Sequence, residues 1–209
     1  MMSKFIQLKG GVVMIATLII LGIVLVLILW AIGIYNRLIN LRNQVKNAWS
    51  QIDVQLQRRY DLIPNLIETV KGYMSYERGT LEAVVNARSN AVAAREDLEK
   101  SGGPTGGSLK NLLGAEVALK GAVANLFALA ENYPQLRASE NMKTLQEELS
   151  STENRIAFAR QAYNDQVMSY NTSQQVFPAT LVASAFGHHP VDFYEVADVE
   201  AKKAVKVSF

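Results

Sequence analysis

The amino-terminal part of the chain contains an apolar run at residues 12–34 that carries no charge. At 1.5 Å per residue, these roughly 23 residues form a helix of about 34 Å, which can cross a hydrocarbon core of about 30 Å. Backbone groups in lipid must be paired within the segment, so a spanning run of this kind is helical. The pattern therefore predicts one transmembrane helix near the amino terminus.

A cleaved signal peptide is the alternative interpretation of this run, because Lys4 and Lys9 precede it and Ala31 and Gly33 form a small-x-small triplet. The apolar part of a signal peptide is about 7–15 residues long, and this run is far longer, which favours a membrane anchor. Basic residues lie on both sides of the run, and Arg37 follows it closely. The positive-inside rule therefore favours a cytoplasmic domain only slightly.

From residue 35 onward the apolar positions recur with a helical period. Two rows in the first helix repeat every seven residues: Leu38, Val45, Ile52 and Trp49, Leu56, Ile63. A similar row marks the last helix: Met142, Leu149, Ile156, Tyr163 and Tyr170. A strict seven-residue period is typical of long helices that pack at about 20°.

Proline and glycine divide this region into four predicted helices. Pro64 disfavours the helical conformation at Ile63 and Asp61 can act as a cap, so we expect the first helix to turn back here. A kinked helix that continues across Pro64 is the alternative, since the apolar stripe stays nearly in phase. A glycine-rich loop at residues 101–108 separates helices two and three, and Pro134 separates helices three and four. The sequence thus predicts an all-α fold, with an N-terminal transmembrane helix followed by an antiparallel four-helix bundle of long helices.

The predicted domain organisation has four parts. Residues 1–11 form a short amino-terminal segment, residues 12–34 the transmembrane helix, residues 35–176 the bundle and residues 177–209 a carboxy-terminal tail with a short apolar segment. In an up-down bundle the tail lies beside the base of the first helix, near the membrane. Its apolar side chains then either enter the headgroup region or cap the open end of the bundle, and the sequence does not separate these outcomes.

The composition excludes several classes of function. A net charge of +2 without a polybasic tract argues against nucleic acid as a ligand. The chain has no cysteine, which excludes disulfides, a thiolate nucleophile and a cysteine-ligated metal. Since no Ser–His–Asp set is evident either, we expect no covalent catalysis and no enzymatic activity.

Two segments have side chains that could bind a ligand. The histidines, His188 and His189, lie near Asp192 and Glu195, and all four are ligand types for metals. Adjacent histidines point apart and helical spacing is absent, so we interpret this segment as a loop without a metal or cofactor. The loop at residues 101–108 lacks the Gly-Lys-Ser/Thr ending and the preceding strand of a phosphate-binding loop, and we interpret it as a linker.

Polar side chains also lie on or beside the apolar rows: Glu77, Arg88, Thr152, Glu153 and Asn154. A catalytic carboxylate would give this pattern, and so would a buried polar layer. Buried charges need partners, and one polar layer sets the register of a heptad bundle, so we favour the structural interpretation. We expect Arg88 to pair with an acceptor on helix four, and Glu153 is the first candidate.

Several motifs resemble the LemA family, and they cover nearly all of the chain from the anchor to residue 195. RNQVKNAWSQIDVQL at residues 42–56 is followed by RRYDLIPNL at residues 58–66. TENRIA at residues 152–157 is followed by AR at 159–160, YN at 163–164 and 170–171, and FP at 177–178. Where many relatives read Phe-Gly-Phe, this chain reads Phe186-Gly187-His188, so a role for an aromatic side chain at position 188 is in doubt.

The resemblance implies a membrane-anchored antiparallel four-helix bundle without an established reaction, in a family whose members look like scaffold or organising proteins. Some members take part in building membrane compartments. We therefore expect a single-pass protein of the bacterial inner membrane that contacts the lipid bilayer, forms homo-oligomers and binds other membrane proteins. The alternative is a sensor of envelope stress or of a small molecule bound between the helices.

Overall fold

The structure is a computed structural model that describes residues 2–74 and 76–195. Of these residues 85% are helical and none lies in a strand, which confirms the all-α prediction. The helices are α1 (Met2–Lys71), α2 (Arg78–Lys100), α3 (Gly106–Ala130), α4 (Pro134–Ala138), α5 (Glu140–Gln175) and α6 (Ala179–Ala185). Residues 196–209 of the predicted tail lie outside the described part of the chain.

The chain divides into two compact units. The first unit comprises Met1–Gln44 and Ser169–Pro190, and the second comprises Val45–Met168 and Val191–Phe209. Helices α1 and α5 each contribute residues to both units.

The long apolar helix predicted at the amino terminus is present as the first part of α1. Its large apolar side chains from Met14 to Ile32 are 44–65% exposed, as expected for a surface that faces lipid. By length and composition, α3 could also cross a membrane. However, Leu112, Leu119 and Leu126 of α3 are fully buried, which is typical of a core helix in a folded unit.

The seven-residue rows predicted for the first and last helices form the buried face of these helices. The side chains that are 8% exposed or less include Leu38, Val45, Trp49, Ile52, Leu56, Ile63, Met142, Leu149, Ile156, Tyr163 and Tyr170. This agreement follows from the period itself, which places each row on one side of a helix.

The expected turn at residues 61–64 is wrong, because α1 continues through Pro64 to Lys71. Proline has no N–H, so the carbonyl of Tyr60, four residues earlier, loses its helical partner. Arg88 Nε donates a hydrogen bond to that carbonyl oxygen at 2.7 Å. The chain instead reverses at residues 72–77, between α1 and α2.

Within the second unit, parts of α1, α2, α3 and α5 contact one another. Arg95 of α2 binds both carboxylate oxygens of Asp53 on α1, at 2.5 and 2.8 Å. Trp49 of α1 packs edge-on against Tyr163 of α5, with ring centroids 5.7 Å apart. The antiparallel order of a four-helix bundle stays a prediction.

The glycine-rich loop forms the short connection between α2 and α3. Gly102, Gly103 and Gly106 have φ angles of +87°, +120° and +53°, in the region that favours glycine. Helix α3 begins at Gly106, within the loop predicted at residues 101–108. Gly106 donates its backbone N–H to Asp192 at 2.5 Å, so this helix start binds a side chain of the tail.

Candidate functional site

Charged and phenolic side chains, some buried and some exposed, meet at one place in the second unit, which we call the ionic cluster. It consists of Arg59 and Tyr60 on α1, Glu116 and Lys120 on α3, and Glu153 on α5. Arg59 and Glu116 are only 8% and 6% exposed. Charges buried to this degree require paired partners.

Every carboxylate of the ionic cluster has two donors. Arg59 Nη1 lies 2.5 Å from Glu116 Oε2, and the Tyr60 hydroxyl donates to the other oxygen of Glu116. Arg59 Nη2 pairs with Glu153, and Lys120 Nζ lies 3.1 Å from the second oxygen of Glu153. The two cations and two carboxylates are thus paired with each other, an arrangement that joins three helices.

The electrostatic environment keeps the Tyr60 phenol protonated. Burial raises the pKa of Tyr60 far above its ordinary value, and the neighbouring charge of Glu116 and its hydrogen bond raise this pKa further. A phenol of this kind donates a hydrogen bond and does not act as a base near neutral pH. The ionic cluster therefore has the properties of a structural polar layer.

The polar side chains singled out in the sequence occupy different places. The expected pairing of Arg88 with Glu153 is wrong, because Arg88 binds the Tyr60 carbonyl and Glu153 belongs to the ionic cluster. Glu77 lies in the turn before α2 and accepts a hydrogen bond from the Tyr133 hydroxyl. Thr152 is buried and donates to the backbone carbonyl of Glu148 in its own helix, whereas Asn154 is exposed.

Glu116 was not among the functional candidates predicted from the sequence. Glu116 interrupts a row of α3 that repeats every seven residues, with Leu109 before it and Val123 after it. A charged side chain within an apolar row is the same signal that made Arg88 a candidate. The row could therefore have identified Glu116 as a buried charge.

The tail closes one side of the second unit through Tyr194. The Tyr194 N–H donates to Asn164 Oδ1 at 2.8 Å, and Asn164 Nδ2 donates to the Tyr194 carbonyl at 3.2 Å. The ring lies 6.2 Å from that of Trp49, and the guanidinium of Arg160 lies 5.2 Å from its centroid. Burial, with a smaller effect from the charge of Glu116, raises the pKa of Tyr194 to about 12.

The histidines considered as metal ligands have other environments. His188 is 7% exposed, and its Nδ1 lies 2.9 Å from the Tyr170 hydroxyl. Burial lowers the pKa of His188, and the positive charge of Arg42 lowers it further. His189 is exposed, and among the described residues no group of three or more metal-ligand side chains comes together.

Two clefts flank the ionic cluster. One has a volume of about 280 Å³ and an apolar wall that includes Phe127 and Leu149, with Lys120 also lining it. The other has a volume of about 150 Å³, and Tyr194 lies in its wall together with the ionic groups. The charged residues that line the smaller cleft are Arg59, Lys120, Arg160, Glu116 and Glu153, so cations outnumber carboxylates there by one.

A long exposed apolar helix, together with a helical unit whose buried charges pair internally, defines a membrane-associated helical protein. The sequence profile of the LemA family matches residues 48–209, and the chain belongs to this family. It is 26% identical over 174 residues to the magnetosome protein MamQ of Magnetospirillum gryphiswaldense. The aligned region covers 77% of this chain and 64% of that protein. It is also 26% identical over 169 residues to the protein LemA of Metamycoplasma hominis, covering 81% of this chain and 72% of that one. The match thus spans less than two thirds of the MamQ relative.

Proposed function

We propose that this protein is a membrane-anchored scaffold that acts by self-association and by contact with other membrane proteins. The observation that carries the proposal is α1, whose apolar side chains are exposed from Met14 to Ile32 and whose later residues pack into a folded unit. The pairing of the ionic cluster supports a structural role for its charges. The magnetosome names of some relatives are consistent with an organising role.

Two exposed apolar side chains in the second unit are candidates for the contact between copies. Val54 on α1 is 58% exposed, and Phe158 on α5 is 74% exposed. Exposed large apolar groups next to polar ones are frequent in protein interfaces, where aromatic side chains contribute most of the binding energy. We therefore place the contact between copies on α1 and α5.

Measuring the mass of the full chain in mild detergents and in nanodiscs tests this proposal. We expect an oligomer, and we expect Val54→Glu and Phe158→Glu to shift it toward the monomer by placing a charge in the contact. Asn90→Glu is the matched control, since Asn90 is an exposed residue on α2, outside the proposed contact. A monomeric mass for the unmodified chain in all of these environments would contradict self-association.

We further propose that the chain is located in the bacterial inner membrane, with the second unit in the cytoplasm. The basic residues Arg37, Arg42 and Lys46 close to the apolar run give this orientation a slight preference. Because the chain has no cysteine, one cysteine introduced at an exposed position such as Thr144 reports the orientation. A membrane-impermeant thiol reagent should label it only after the inner membrane is opened.

Ligand sensing is the second candidate function, and the smaller cleft favours it. Arg160 lines this cleft, and its Nε is buried without a hydrogen bond to the described residues. With the excess of cations, this geometry suits a small anion such as a carboxylate. A panel of carboxylates and inorganic phosphate should raise the melting temperature of the protein, and Arg160→Gln should abolish the increase. No increase with any anion in the unmodified chain would remove this candidate.

A further inference from the structure

Three large apolar side chains near the end of the chain are exposed, and we call them the tail patch. Phe177, Leu181 and Phe186 are 79%, 64% and 63% exposed. Ala183 and His188 in the same segment are 4% and 7% exposed, so the segment is docked and still presents its largest apolar groups outward. A segment that merely capped the helices would bury these groups.

One member of the tail patch, Phe186, lies at the place where the apolar run of α1 ends. The Phe186 ring is 4.9 Å from the ring of Tyr35, and the His188 ring is 6.0 Å from it. Tyr35 directly follows Ile34, the last residue of the run, and Trp30 is 52% exposed slightly more than one turn earlier. Aromatic side chains at this position are typical of the boundary between hydrocarbon and headgroups.

We propose that the tail patch inserts into the interfacial layer of the same bilayer that α1 crosses, so that the protein has a second contact with lipid. This proposal rests on the proposed function, in which α1 anchors the protein in the bilayer. Residues 176–187 carry no charged side chain, so their entry into this layer requires no charge to leave water. Through Phe186 the patch also contacts Tyr35, which borders the exposed apolar surface of α1.

Depth-dependent quenching in liposomes tests the proposal on the full chain. The chain has no cysteine, so Phe177→Cys, Leu181→Cys and Phe186→Cys each carry one environment-sensitive fluorophore. Leu27→Cys, in the apolar run, is the reference for the hydrocarbon core. Asn43→Cys is the reference for water, because Asn43 is exposed on α1 and lies about 12 Å beyond Tyr35 along the helix.

We expect brominated lipids to quench the three tail probes, and iodide to quench them with a constant about threefold lower than at Asn43. Phe186 contacts Tyr35, so Phe186→Cys could loosen the segment. The probes at Phe177 and Leu181 therefore decide the test. Thermal unfolding confirms that each labelled variant is folded.

Iodide quenching at Phe177 and Leu181 equal to that at Asn43 would overturn the proposal. Protection from iodide without quenching by lipid would also overturn it, because that result indicates a protein partner on the patch. If brominated lipids fail to quench the probe at Leu27, the anchoring of α1 itself is wrong. If brominated lipids quench the probe at Leu27 but none of the tail probes, only the second lipid contact is refuted.

Discussion

At the scale of single residues, Pro64 and Arg88 act as a compensating pair. A proline inside a helix costs about 3 kcal/mol, partly because one carbonyl is left without its donor. The side chain of Arg88 supplies a donor to that carbonyl, on Tyr60, a residue that is fully buried. The apolar stripe then continues past the proline, and Leu66 and Val70 are fully buried. This contact between two helices explains why the local preference for a turn at Pro64 does not prevail.

A double-mutant cycle tests this pair. We expect Arg88→Ala to lower the free energy of unfolding by about 1–3 kcal/mol, because a buried carbonyl loses its partner. In the Pro64→Ala background the cost should be smaller, since alanine at position 64 provides the missing backbone N–H. Chemical unfolding in detergent, followed by circular dichroism, measures all four proteins. An equal cost in both backgrounds would contradict the compensation.

Glu116 allows a second test at this scale. We expect Glu116→Ala to cost about 3–5 kcal/mol of stability, because it leaves Arg59 and the Tyr60 hydroxyl buried without their shared partner. Glu147→Ala is the matched control, since Glu147 is an exposed glutamate on α5, and its effect should be within about 0.5 kcal/mol. The same unfolding measurement serves both variants. Similar values for the two would show that the ionic cluster does not stabilise the fold.

At the scale of helices, the sequence was most informative where the signal was periodic. The row from Met142 to Tyr170 predicted the buried face of α5, because seven-residue spacing determines which side of a helix a residue occupies. The partners of polar residues could not be predicted in this way. Arg88 was expected to find a carboxylate, but its partner is a backbone carbonyl whose need for a donor appears only once the helix is known to continue.

The docking of the tail in the first unit should depend on pH through His188. Burial lowers the pKa of His188 below its ordinary value of 6.5, so the detached segment binds a proton more readily than the docked one. Docking is therefore fully stable above about pH 6.5 and weakens as the pH falls below it. Arg42 and His189 oppose protonation further, while Tyr170 contacts the ring.

Hydrogen exchange of residues 179–190 at pH 7 and pH 5, corrected for the intrinsic rates, measures this docking. We expect the unmodified chain to lose protection at pH 5. His188→Phe should retain it, because a phenyl ring fills the same aromatic site without taking up a proton. His189→Phe is the control, since His189 is exposed and its replacement should leave the pH dependence in place. The same loss of protection in the His188→Phe variant would refute the assignment.

At the scale of the whole molecule, the misplaced turn had little effect on the predicted architecture. Moving the first connection between helices from residues 61–64 to residues 72–77 changes the lengths of two helices. The sequence predicted a tail beside the base of the first helix, and Phe186 does lie against Tyr35. Which tail side chains face outward could not be predicted, because exposure depends on how the segment docks.

Buried tyrosines should make the protein sensitive to alkaline conditions. The pKa of Tyr194 is raised from 10.0 to about 12, and burial also raises the pKa values of Tyr60 and Tyr163. Below pH 10 these phenols are protonated in both states, so stability is unaffected. Above pH 10 the unfolded chain loses phenolic protons that the folded chain retains, so stability falls as the pH rises toward 12.

Tyr194→Phe tests the contribution of one phenol to this loss. Tyr194 alone should account for roughly 2–3 kcal/mol between pH 10 and 12, since each unit of pKa difference corresponds to about 1.4 kcal/mol. The variant keeps the ring beside Trp49 and Arg160 but has no hydroxyl to titrate, so its stability should fall less steeply over this range. Tyr76→Phe is the control, because Tyr76 is 97% exposed. The free energy of unfolding is measured from pH 8 to pH 12. A parallel fall for the unmodified chain and Tyr194→Phe would contradict the contribution of the Tyr194 phenol.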